Sequence, residues 1–263
     1  MSILGFIVMA ASSASSCTPM PGAGEIADQT RTKWIILGEM HGTAEMPVAM
    51  TDFICSAATK RRPLAVAVEQ TVDNQLSIDT FIHSNGNAPS RAAFAKAPMW
   101  RTKGKDGRSS VATFDMFDRL RIFYRANKIA RVVAIDPIVS NGSADRNAQM
   151  AKNLLAIEPK VNGLVLALMG GLHAQKTDII VPSGRWPSTA SLLPKDYTVT
   201  LMMVGGAGSA WVCFETCGPQ PIGEPRDKPR GVEVQPVTAD FPFDGFLEIG
   251  SGTSASPPWN NAK

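Results

Sequence analysis

Four short apolar runs stand out along the chain, and each stops at a glycine, an acid or a histidine. Trp34-Ile35-Ile36-Leu37 leads into Gly38-Glu39-Met40-His41-Gly42, and Leu64-Ala65-Val66-Ala67-Val68 stops at Glu69. Val132-Val133-Ala134-Ile135 stops at Asp136-Pro137, and Leu164-Val165-Leu166-Ala167-Leu168-Met169 stops at Gly170-Gly171-Leu172-His173. Runs this short, apolar on both faces and rich in Val, Ile and Leu have the pattern of parallel strands buried on both sides. Between them lie segments with helical periodicity, at residues 47–62, 72–83, 113–128 and 143–157. The third carries a stripe of Phe114, Phe117, Leu120, Phe123 and Tyr124, and the fourth gathers Met150, Leu154 and Ile157 on one side. Strand alternating with helix predicts an α/β fold, with a parallel-sheet core, flanking helices and right-handed crossovers.

The later chain changes character. Residues 197–204 and 209–214 flank Gly205-Gly206-Ala207-Gly208 and predict a β-hairpin. That glycine run opens no helix, which leaves it without a phosphate-binding role. From Gly218 onward lie 8 of the 19 prolines, predicting an irregular Pro/Gly-rich tail with one or two edge strands wrapped over the domain.

The first residues form an apolar run from Ile3 to Ala11, then small residues up to Cys17. The run is too short to span a bilayer and suits the central region of a signal peptide, although no Lys or Arg precedes Arg31. The expectation is an exported protein, periplasmic or membrane-anchored, with residues 1–16 as signal segment, 17–30 as tether and 31–263 as a single domain. Ala14-Ser15-Ser16-Cys17 is an imperfect lipobox, so Cys17 is the expected lipidation site and that anchor the expected contact with a membrane. Of the remaining cysteines, Cys55 sits on an apolar helical face and reads as a buried thiol. Cys213 and Cys217 can bridge only if the chain turns between them, because an extended strand holds them too far apart.

Composition narrows the function. With 44% hydrophobic and 19% charged residues, the chain of 263 residues suits a packed globule rather than a disordered one. Its net charge of +3 comes with no basic stripe long enough to follow a phosphate backbone, which excludes nucleic acid as the expected partner. Lys60-Arg61-Arg62 closes a helical pattern, where cations favour the helix dipole.

Candidate chemistry collects where the apolar runs end. In open parallel sheets, ligands bind beyond the carboxyl ends of the strands. Two of the three histidines, His41 and His173, fall there, together with Glu39, Glu69 and Asp136. Each has a structural alternative: the two glutamates as helix caps, Asp136 as part of a turn with Pro137, His173 inside a glycine turn. As a set they predict a functional cleft. No zinc-motif spacing occurs among these residues, so no tightly bound metal is expected.

The same residues resemble a known family. Gly38-Glu39-Met40-His41-Gly42-Thr43 with Glu45 is similar to the GExHG signature of the erythromycin esterase-like and ChaN-like superfamily. Three more blocks follow in the family's order: Trp100 with Asp106-Gly107-Arg108-Ser109-Ser110, then Asp145-Arg146 with Met150-Ala151, then Gly170-Gly171-Leu172-His173-Ala174. The resemblance covers about residues 34 to 258 and implies an α/β fold with its site at the strand ends. It implies that His41 acts as general base toward a water, with Glu39 and Glu69 orienting it or serving as acid partners. His173 and Arg146 would steady an anionic intermediate, and Glu45, Asp106, Arg108 and Asp136 would contact a small-molecule substrate. No GxSxG nucleophile motif occurs, so direct attack by water fits better than a serine acyl-enzyme. The chain is short for the helical insertions of macrolide esterases, and its size and expected export stand closer to the ChaN-like branch. That branch implies an alternative, a haem- or metal-binding surface lipoprotein without catalysis, for which the sequence offers only Tyr124 and Tyr197 as tyrosine ligands.

Overall fold

The computed structural model describes residues 17–58, 62–101, 107–157, 163–213 and 215–259. The expected signal segment, residues 1–16, and Asp106 lie outside the described residues. The chain opens with α1 (Ala23–Asp28), β1 (Trp34–Glu39), α2 (Glu45–Ala57), β2 (Leu64–Thr71), α3 (Gln75–His83) and α4 (Ala88–Phe94). It continues with α5 (Val111–Arg125), β3 (Arg131–Asp136), α6 (Ser143–Leu155), β4 (Leu164–Gly170) and a one-turn helix at Gly171–Ala174. Seven further strands complete it: β5 (Ile179–Val181), β6 (Gly184–Trp186), β7 (Thr198–Gly206), β8 (Gly208–Cys213), β9 (Cys217–Ile222), β10 (Gly231–Val234) and β11 (Gly245–Gly252).

The main sheet has the order β10-β11-β7-β1-β4-β2-β3, parallel throughout except for the antiparallel edge strand β10. Both faces are covered, which is why the strand sequences are continuously apolar. Ile35, Leu37, Val66, Val68, Leu166 and Leu168 point to the face packed by α1 to α5. Trp34, Ile36, Ala65, Ala67, Val165 and Ala167 alternate to the other face and meet Met150, Ala151 and Leu154 of α6. The phenylalanine stripe of α5 is buried as expected, Phe114 stacking on Trp259 at 3.8 Å, and Ser110 caps the helix by accepting from Thr113 N at 3.2 Å. β1 and β4 are neighbours whose onward connections leave in opposite directions, β1 toward β2 and β4 toward β7. A crevice therefore opens at their carboxyl ends, where Glu39 lies opposite Gly170.

Five expectations need correction. A late hairpin is present, but β7 enters the main sheet beside β1, and β8 pairs with β9 instead. The glycine run connects those two arrangements rather than closing a hairpin. The proline-rich tail is more ordered than its composition suggested: β11 is an interior strand, parallel to β7. Residues 17–30 are no tether, since Met20, Ala23, Ile26 and Ala27 are buried in the main core. Cys17 is bonded to Cys55, with 6.2 Å between Cα atoms, so its sulfur is not open to the thioether of a lipid anchor and Cys55 is no free thiol. The second disulfide joins Cys213 to Cys217, which face each other across the β8–β9 ladder because the chain turns between them.

Candidate active site

His41 sits in a turn immediately after β1, between the buried strand and α2. The turn is stitched to the rest of the fold through its backbone: Gly42 O accepts from Trp211 N and from Ser256 N, each at 2.8 Å. Gly42 has φ +84°, and a side chain there would overlap the Trp211 carbonyl, so glycine is what permits this approach. His41 Nδ1 lies 3.0 Å from Glu39 Oε1, a contact that places the proton on Nδ1 in the neutral ring. Nε2 stands 3.7 Å from Glu69 Oε2, close enough for strong attraction and too far for a hydrogen bond. Gly170 lies beside it, and a Cβ there would come within 3.1 Å of Nε2. Burial works against the charged imidazole, but Glu69 and Glu39 outweigh it and push the pKa of His41 up to about 10.

Glu69 is the hub. Its carboxylate, 4% exposed at the side chain, accepts from Gly170 N at 2.7 Å, Arg146 Nη2 at 2.7 Å and Arg108 Nη1 at 3.2 Å. Burial opposes its ionisation, yet the charged His41 and Arg108 hold its pKa well below the usual carboxylate range. Asp136, from the end of β3, takes both Nε and Nη2 of Arg146 at 2.7 Å and Arg108 Nη1 at 2.9 Å. The fork-to-carboxylate geometry fixes the plane of Arg146. Its remaining Nη1 donates to His173 Nε2 at 2.8 Å, so that nitrogen carries a lone pair. His173 Nδ1–H then donates to Asn147 Oδ1 at 2.6 Å, and the Asn147 amide is itself oriented by giving Nδ2–H to Pro187 O at 2.7 Å. Burial lowers the pKa of His173, and the adjacent Arg146 adds to this, keeping the ring neutral.

Of these groups, Glu39, His41 and His173 line a cleft of about 620 Å³ together with Gln175 and the apolar Met40, Leu172, Met202, Trp211, Val212 and Phe243. The structure therefore brings together Glu39, His41, Glu69, Arg108, Asp136, Arg146 and His173. Glu69, Asp136, Arg108 and Arg146 stand behind the front row of Glu39, His41 and His173 and position it rather than lining the cleft. Glu45 is placed elsewhere: it accepts from Ser254 N at 2.8 Å and Ser254 Oγ at 2.5 Å, tying α2 to the end of the chain. Sequence reading missed Asn147, fully buried and next to Arg146 on α6, and the apolar wall from β7, β8 and the Phe243 loop. The adjacency of Asn147 to Arg146 was the available signal for the first. The wall had none, since its residues come from distant segments.

A cation at the Glu69–Asp136 carboxylates would meet the two guanidinium groups already bound there, so this donor set does not fit a divalent metal. Both nitrogens of His173 and Nδ1 of His41 are engaged by protein partners, which leaves His41 Nε2 as the imidazole nitrogen in the cleft that could meet a haem iron.

The architecture is that of a doubly covered α/β sheet with its site at the strand ends, and it recurs in solved structures. A succinoglycan biosynthesis protein matches with a TM-score of 0.65 at 11% identity, covering 89% of this chain and 90% of that one. A variant of the erythromycin esterase EreC in its open conformation matches with a TM-score of 0.61 at 9% identity, covering 89% and 93%. A Bacillus cereus protein matches at 0.57 and 12%, covering 89% and 91%. At these identities the likeness is one of fold, and it agrees with the motif resemblance to the erythromycin esterase-like superfamily. No family model matches the sequence, and no curated protein matches it.

Proposed function

We propose that this protein is a hydrolase of an ester or related bond in which His41 activates water. The observation that carries the reading is the pairing of His41: Nδ1 is fixed by Glu39, while Nε2 borders the cleft 3.7 Å from Glu69, with no partner within hydrogen-bond distance among the described residues. In its neutral form the ring takes a proton from water at Nε2 as the water oxygen bonds to the substrate's carbonyl carbon. The tetrahedral intermediate then collapses, the carbon–oxygen bond to the leaving alkoxide breaks, and the imidazolium returns the proton to that oxygen. Acid and alcohol leave, and His41 is regenerated. Arg146, held by Asp136 and Glu69, is the cation nearest His173 and suits the stabilisation of developing negative charge at that end of the cleft. The fold shared with an erythromycin esterase supports this class of reaction.

Export is part of the same reading, and the two disulfides support it, because such bonds persist in oxidising compartments. His41→Ala tests the catalytic assignment. It should leave the fold intact by circular dichroism and lower turnover of small esters by roughly two to four orders of magnitude. Unchanged turnover in a folded variant removes His41 from the mechanism.

A further inference from the structure

The apolar part of the cleft lining is unlike the rest of the site. It is built from Met202 on β7, Trp211, Val212 and Cys213 on β8, Phe243 in the loop before β11, and Leu172 in the one-turn helix. None of these carries a charge or a side-chain acceptor. The polar side is already neutralised internally: three carboxylates, Glu39, Glu69 and Asp136, are matched by Arg108, Arg146 and His41 in its charged form. Gln175, the remaining polar side chain of the cleft, gives its amide to Asp178 O at 2.8 Å. A charged substrate group set against these apolar side chains would lose water and meet no opposite charge on them.

The β8–β9 hairpin that supplies Trp211 and Val212 is held at both ends. Near its open end Ser209 N donates to Thr253 O at 2.9 Å, while toward the turn Trp211 N donates to Gly42 O and the Cys213–Cys217 disulfide closes the ladder, with 4.0 Å between Cα atoms. Cys213 itself lines the cleft. The disulfide therefore fixes the shape of the hairpin, and the Trp211–Gly42 hydrogen bond sets its place beside the His41 turn.

We infer that the disulfide-clamped β8–β9 hairpin is the specificity wall of this site, selecting uncharged esters that carry a large apolar group over short or charged ones. The inference rests on the hydrolase reading and specifies its substrate class. The apolar group fills the space against Trp211, Phe243 and Met202, expelling water and placing the ester carbonyl at His41.

The test uses the full chain, oxidised, with p-nitrophenyl acetate, benzoate, decanoate and monosuccinate. The expected order has kcat/KM for benzoate or decanoate at least tenfold above acetate, with monosuccinate lowest. Trp211→Ala, and separately Cys213→Ser with Cys217→Ser, should cut the ratio of large to small ester about tenfold, mainly through KM. Calorimetric binding of 4-phenyl-2-butanone, a neutral ketone that cannot be hydrolysed, against 3-benzoylpropionate reads the wall without chemistry. If no ester turns over yet the neutral ketone binds and loses affinity in both variants, the catalytic reading fails and the wall stands. Equal rates for acetate and benzoate with unchanged ratios in the variants, or preference for the succinate or benzoylpropionate, overturns the wall.

Discussion

His41 is a strong base that spends most of its time protonated. With a pKa of about 10, roughly one molecule in a thousand holds it neutral at pH 7, because each pH unit is a factor of ten. If the neutral ring activates water, kcat/KM should climb with pH from neutrality toward 10 with a slope near one, for substrates whose uncatalysed hydrolysis is subtracted. A profile that falls over the same range assigns His41 to the acid step instead. Stability should move the other way. The folded pKa lies above the ordinary value of 6.5, so the ion pair's contribution is fully present below about 6.5 and is lost as pH rises through about 10. Glu69 has the opposite sign: its contribution is present above the ordinary carboxylate range and is lost as acid brings the pH through its depressed folded value. Thermal melts of wild type and His41→Gln across that alkaline range check the first half, since the variant should lack the alkaline loss.

At the scale of elements, one buried carboxylate does what sequence patterns cannot announce. Asp52 on α2 is 1% exposed, and it joins three separate pieces of chain. Arg119 of α5 donates to it at 2.8 Å, Arg230 beside β10 at 2.6 Å, and the backbone N–H of Thr18 at 3.2 Å. Arg119 and Arg230 are themselves largely buried, so removing the acid strands two cations. Asp52→Ala should cost about 3–5 kcal/mol, read as a lower urea midpoint at unchanged slope. A loss under about 1 kcal/mol would mean that water replaces the carboxylate there.

For the whole molecule, one disulfide decides how the amino-terminal segment attaches. Cys17–Cys55 closes a separation of 38 residues and pins the first described segment to α2, and in the loop-entropy account such a link contributes about 4 kcal/mol. Protein from its native host should show both disulfides by intact mass, two hydrogens lighter for each, with no acyl chain on Cys17. Reduction should lower the melting temperature, mostly through this bond. Two free thiols at Cys17 and Cys55, or a lipid mass on Cys17, returns the amino-terminal segment to the role of a tether.

The strand cores and the helices between them were legible in the sequence, because each depends on local periodicity, whereas Arg108 and Arg146 of the candidate site came from the resemblance to a known family. Burial on both faces forces uninterrupted Val, Ile and Leu in β1, β2 and β4, and the carboxyl ends of parallel strands gather their loops at one edge. The signature around Glu39 and His41 and the run ending at His173 could be read for the same reason. Pairing between distant segments could not. Whether β7 joins β1 or folds back on β8, whether β11 enters the sheet, and which sulfur meets Cys55 depend on contacts far apart in sequence, whose energy is settled only when the whole sheet closes. The same holds for the site: the sequence supplied seven of its ionisable groups. Tertiary structure alone turned Asp136 and Arg108 into supports, sent Glu45 to Ser254, added Asn147 behind His173 and raised an apolar wall beside them, because burial and mutual distance are properties of the packed chain.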